Sequence, residues 1–201
     1  MNYYVVETDK HKLIQKTAGV KARQDVETIF KWNNFKKIEI PCLIEGRENK
    51  TRLGKIKAHY DVYMLWKNAL KKIKKNDWIY IQFPLLEHTM LFSLLIKNLE
   101  KRGIHTSIII HDVEAIRFTL RNDVPLSRKI RMRFEEISSF KNCSKIIVHN
   151  EKMKSFMHEK WKIHKDKMDI LGIFDYLVEN YNEELLEKRN LSRKGPVIIA
   201  G

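Results

Sequence analysis

Trp78-Ile79-Tyr80-Ile81-Gln82-Phe83-Pro84 meets no polar side chain before Gln82. A short run this apolar suits a strand buried on both faces, as in a parallel sheet. Pro84 ends it and can occupy the first turn of a following helix. That helix runs through Leu91, Phe92, Leu95, Ile96 and Leu99 to Arg102, with Gly103 as its stop. Thr106–Ile110 reads as the next strand. Leu126–Phe140 reads as a helix with Ile130, Phe134, Ile137 and Phe140 as its apolar stripe. Ile146–Val148 is another strand, Glu151–Trp161 a helix, and Met168–Leu171 a further strand.

The same alternation extends upstream. Tyr3–Val6 is a strand. Gly19–Trp32 is a helix with Ala22, Val26, Ile29 and Phe30 on one face. Lys37–Ile40 is a strand stopped by Pro41, and Glu45–Gly54 a polar loop. Ala58, Val62, Leu65, Trp66, Ala69 and Ile73 share one side of a helix that Asn76-Asp77 breaks. Trp66 and Trp161 fall on apolar helix faces and read as core. Strands alternating with helices imply an α/β, doubly wound parallel sheet, and right-handed crossovers make it Rossmann-like. Residues 1–185 form this domain. Residues 186–201 read as a linker, Arg193-Lys194-Gly195-Pro196, and the first strand of a second domain, Val197–Ala200. A seventh strand at the edge of the same sheet is the alternative.

Composition narrows the class. With 201 residues, 43% apolar, and only 7 glycines and 4 prolines, the chain is globular and not fibrous or linker-like. Its two cysteines form no zinc or disulfide framework, and the eight histidines are scattered, so no metal is expected. No secretory-signal pattern or membrane-length apolar run appears, so a cytoplasmic protein is expected. The net charge of +14 concentrates in Lys67, Lys71, Lys72, Lys74 and Lys75, and in Arg128, Lys129, Arg131 and Arg133. Such clusters suit nucleic acid or the anionic inner face of a membrane. The alternative is a set of solvated helix faces. No aromatic-rich RNA-binding strand accompanies the charge, which weighs against nucleic acid.

In an open parallel sheet, ligands bind beyond the C-terminal strand ends. That rule collects Gly19, Lys21 and Ala22 at the start of the first helix, then Gln82 and Pro84, then His111-Asp112-Val113-Glu114 with Arg117, then His149-Asn150, and finally Gly172–Asp175. A glycine at a helix start lets backbone amides approach an anion; Gly19 equally suits a plain turn. Asp112 is the first choice for a general base acting on a hydroxyl, and His111 can do the same or hold an acceptor. Arg117 can bind a phosphate or pin a carboxylate. The structural alternative is Asp112 capping the next helix and Arg117 pairing with Glu114.

Ala18-Gly19-Val20-Lys21-Ala22-Arg23-Gln24-Asp25-Val26, Gln82-Phe83-Pro84, His111-Asp112-Val113-Glu114-Ala115-Ile116-Arg117, Val148–Met153, Leu171–Leu177 and Ile199-Ala200-Gly201 occur in this order. Together they resemble the blocks of bacterial galactofuranosyltransferases and the related glucosyltransferases of surface-glycan and adhesin assembly. The resemblance implies the acceptor-side half of a two-domain GT-B enzyme. The implied donor is UDP-galactofuranose or a similar UDP-hexose, transferred without a metal or cofactor and with inversion. The implied acceptor is a glycan, lipid-linked or protein molecule in cell-surface polysaccharide or glycoprotein synthesis. Asp112 is then the base, and Gly19 with its loop approaches the donor phosphates. Gln82, Pro84, Glu114, Arg117, His149 and Asn150 lie toward the acceptor. Peripheral membrane attachment and a homo-oligomer are compatible expectations. A basic nucleic-acid-binding domain and a flavodoxin-like phosphate-binding regulator are the competing readings; the second requires the last strand to pair within this sheet.

Overall fold

The computed structural model describes residues 1–8, 18–43, 51–118, 123–172 and 177. It is an α/β domain whose six strands all run parallel, in the order β2-β1-β3-β4-β5-β6. The strands are β1 (Asn2–Thr8), β2 (Lys36–Pro41), β3 (Trp78–Phe83), β4 (His105–Ile110), β5 (Lys145–Val148) and β6 (Met168–Ile170). The helices are α1 (Ala18–Trp32), α2 (Arg52–Ala69), α3 (Phe92–Lys101), α4 (Glu114–Arg117), α5 (Leu126–Met132), α6 (Ser138–Asn142) and α7 (Glu151–Trp161). A π-helical turn, Arg133–Ile137, joins α5 to α6. The strand order reverses between β1 and β3, the usual place for a ligand crevice in a doubly wound sheet.

Alternation along the strands sorts the core onto two faces. Ile79, Ile81 and Phe83 of β3 join Ile108 and Ile110 of β4 in one cluster with α2, α3, α6 and α7. There Trp66 meets Phe92 edge-on at 5.3 Å, and Phe83 meets Phe140 edge-on at 5.1 Å. The opposite face carries Tyr4, Tyr80, Ile109 and Ile147, covered by Val26 and Phe30 of α1. Parity therefore puts Gln82, His111 and His149 on the α1 side, because each lies two residues beyond Tyr80, Ile109 and Ile147.

Three local expectations need correction. Pro84 is not in a helix: it follows a cis Phe83–Pro84 bond, and α3 starts only at Phe92. The intervening segment is held by side chains, with Leu86 and Glu87 amides donating to the Glu7 carboxylate at 2.8 and 3.2 Å. The end of the polar loop is helical: α2 starts at Arg52, and the Thr51 hydroxyl caps it by accepting from the Gly54 amide. The same helix stops at Ala69, so Ile73 is buried from a turn beyond it.

The stripe on residues 126–140 fails in a more informative way. Phe140 is buried, but Ile130 and Phe134 are 42% and 50% exposed; Met132, Glu135, Glu136 and Ser139 face inward instead. A π turn holds one residue more than an α turn, so it shifts the phase between α5 and α6. A reading at constant 3.6-residue period cannot follow that shift. In α1, Val26 and Phe30 are buried as expected, while Ile29 is 40% exposed. The linker Arg193-Lys194-Gly195-Pro196 and the strand Val197–Ala200 lie outside the described residues, as do the boundary at 185/186 and the test of the regulator reading.

Candidate functional site

A hydrogen-bonded chain crosses the C-terminal strand ends from α1 to the end of β4. The Arg23 guanidinium, on the second turn of α1, donates to the Pro84 carbonyl. The Gln82 amide nitrogen donates to the Arg23 carbonyl at 3.3 Å. That contact turns the Gln82 carbonyl oxygen toward His111, whose Nε2 lies 2.7 Å away. An amide oxygen only accepts, so Nε2 carries the imidazole proton and Nδ1 keeps the lone pair. The His111 and His149 rings follow at 6.5 Å. Burial lowers the His111 pKa to about 4, and the Arg23 and His149 charges add to the effect. His111 is therefore neutral at physiological pH. The stability from this group is present above about 6.5 and is lost as pH falls toward about 4.

The other expected site residues divide into two groups. Asp112 follows His111 at the end of β4, and its Oδ1 accepts from the Val113 amide at 2.8 Å while Oδ2 pairs with Arg117. Glu114 pairs not with Arg117 but with Arg128, at 2.9 Å, and Arg131. Burial works to raise the Glu114 pKa, and the two arginines outweigh it and lower it. Asn150 accepts from the Met153 amide at 2.9 Å and so caps α7. Lys21 pairs with Asp25 and donates to the Leu177 carbonyl at 2.7 Å. Gly19 is exposed in the first turn of α1, and a Cβ there would meet nothing within 4 Å, so packing does not demand glycine. Ala22 is half-buried one turn further on. Gly172 has φ +81°, and the rest of that expected block, 173–175, lies outside the described residues.

Behind this rim lies a buried charge network that the motifs did not reveal. Glu7, next to last in β1, is walled in with Arg23, Glu27, Trp66, Gln82 and Leu86 around a cavity of about 40 Å³. Burial raises its pKa to about 7, against the opposing pull of the Leu86 and Glu87 amides, Arg23 and His88. Glu135 meets His88 Nδ1 at 2.5 Å and Arg131 at 3.7 Å. Glu136 accepts from the Ala115 amide at 2.8 Å, which anchors α4 next to the His111-Asp112 segment. The strand-end rule, applied to β1, points to Glu7; Glu135 and Glu136 were hidden by the phase shift of the π turn.

Burial likewise raises the Glu136 pKa to about 7. A carboxyl raised this way contributes stability that is fully present below about 4.5 and lost as pH climbs through about 7. Glu136→Gln keeps the acceptor for Ala115 and removes the titration. At pH 8 it should stabilise the domain by on the order of 1–3 kcal/mol; at pH 4 it should change little. Urea melts at the two pH values check this, and equal effects at both would remove Glu136 as the cause.

Among the described residues no group of three or more His, Cys, Asp or Glu side chains could hold a metal. No described helix is long and apolar enough to cross a membrane. No curated protein matches the chain. The family model described as "Glucosyltransferase 3-like, N-terminal domain" matches residues 2–173, spanning every strand and helix that shapes the rim. The chain therefore belongs to the glucosyltransferase 3-like N-terminal domain family and is a glycosyltransferase-family domain of Rossmann-like fold.

Proposed function

We propose that this domain is the acceptor-side half of a GT-B enzyme that moves a hexosyl group, galactofuranosyl or glucosyl, from a UDP-sugar to a glycan, lipid-linked or protein acceptor. The observation that supports it is the neutral His111 with its lone pair on Nδ1, set beside the Arg23 cation. In this reading His111 Nδ1 takes the proton of the acceptor hydroxyl. The freed oxygen electron pair forms the new bond to the anomeric carbon. The bond from that carbon to the UDP oxygen breaks, and its electrons leave with UDP. Arg23 and the N-terminus of α1 face the developing negative charge. Asp112 holds Arg117 and the backbone of the turn in place. The chemistry needs no metal, because the cations it requires come from the chain.

A pKa of about 4 makes free His111 a weak base. Burial is the largest cause and Arg23 adds to it; a diphosphate bound beside Arg23 would offset the second contribution. UDP should therefore raise the His111 pKa toward the ordinary 6.5. A proton NMR titration of the His111 ring, with and without UDP, reads this directly. An upward shift of about one unit or more supports the reading. An unchanged titration with UDP demonstrably bound would place the diphosphate elsewhere and remove His111 from the reaction.

A further inference from the structure

We propose that α5 and the start of the π turn that follows it dock on an anionic lipid surface, laying Leu126 and Ile130 of α5 and Phe134 of the turn against it. Leu126 and Ile130 are one α turn apart on α5, and Phe134 follows on the first residues of the π turn. They are 73%, 42% and 50% exposed. Lys129 and Arg133 flank them, are exposed, and enter no ion pair among the described residues. Of the acids nearest in sequence, Glu135 and Glu136 are buried, and the exposed Asp123 precedes the stripe by three residues. What faces outward is an apolar stripe bordered by cations, the pattern of a helix that lies in a membrane interface.

The two basic clusters are now distinguishable. Lys71, Lys72, Lys74 and Lys75 sit between the end of α2 and the start of β3, at the N-terminal edge of the sheet. α5 follows the C-terminal end of β4, at the opposite edge, so one flat surface cannot engage both. The lysine cluster carries no apolar stripe of its own: Leu70 and Ile73 within it are buried, and Met1, tied to Asp77, is a single exposed apolar side chain beside it. A second copy of the chain fits α5 poorly. A two-fold contact through the stripe would set Lys129 and Arg133 against their own equivalents. An anionic surface complements both the cations and the apolar residues. The inference stands apart from the proton transfer proposed above, and the measurement below does not depend on activity.

The test is co-sedimentation of the chain with vesicles of mixed phosphatidylglycerol and phosphatidylcholine, or of phosphatidylcholine alone. The unaltered chain should sediment with the first and not the second. Leu126→Ser, Ile130→Ser and Phe134→Ser together should cut binding tenfold or more, with circular dichroism unchanged because all three are already exposed. Lys71→Glu with Lys72→Glu should bind within about twofold of the unaltered chain. The proposal is overturned if the serine variant binds normally, if the lysine variant loses binding instead, or if neutral vesicles bind as well. It is also overturned if no vesicle binds; a dimer in gel filtration that the serine variant dissolves would then assign the stripe to a second copy of the chain.

Discussion

His111→Gln should lower the rate of UDP release to an acceptor by on the order of a hundredfold, with the acceptor KM little changed. The measurement belongs in a protein that carries both proposed halves of the enzyme. Glutamine can still bond Gln82, but it offers no imidazole lone pair to take a proton. Asp112→Asn is the matched comparison. Asparagine keeps an oxygen for the Val113 amide and loses only the charge that holds Arg117, whose side chain is itself exposed. Its cost should stay below about tenfold. The opposite order, a hundredfold loss at Asp112 and little at His111, would return the base to the aspartate that the bare sequence favours. The structure shifts the choice because Asp112 already has two partners, whereas Gln82 and Arg23 fix the His111 tautomer.

Trp66→Ala should destabilise the domain by roughly 3–5 kcal/mol, the cost of emptying a large core site. For a chain of this length that corresponds to a fall in Tm of roughly 6–20 °C. Trp66 is 1% exposed and packs edge-on against Phe92. It also lines the cavity beside Glu7 and Arg23, so its loss would loosen the support of the rim as well as the core. Trp66→Phe should behave differently. The indole Nε1 is buried and has no hydrogen-bond partner among the described residues, so phenylalanine removes a donor that contributes nothing there. The net change should stay within about 1.5 kcal/mol. Thermal melts of the two variants check the contrast. Equal, large losses in both would mean that indole volume alone matters there.

The framework was legible because its signals are local and periodic. Trp78–Phe83 and Glu151–Trp161 have the bounds that composition and capping suggest, and Gly103 ends its helix with φ +73°. The rim was legible because strand ends collect ligand-facing residues in any sheet of this kind. Three things were not. Which strand-end side chains meet depends on parity across different strands, which joins Gln82 to His111 and leaves Asn150 as a cap. Arg23 reads as one more cation on a helix until its guanidinium is seen on the Pro84 carbonyl. Residues 133–137 carry no mark of their altered winding, so the acids they bury looked like surface.

That five-residue turn also governs how the gene tolerates change in length. Removing one codon between Arg133 and Ile137 would restore ordinary winding and rotate α5 by about 100° relative to α6. The residues on the α5 side of the deletion would then present a different face to the core. Relatives one residue shorter at this point should therefore carry an apolar pattern on α5 that is shifted relative to that on α6. Length here is coupled to composition, and a single missing amino acid is a heavier lesion than most substitutions.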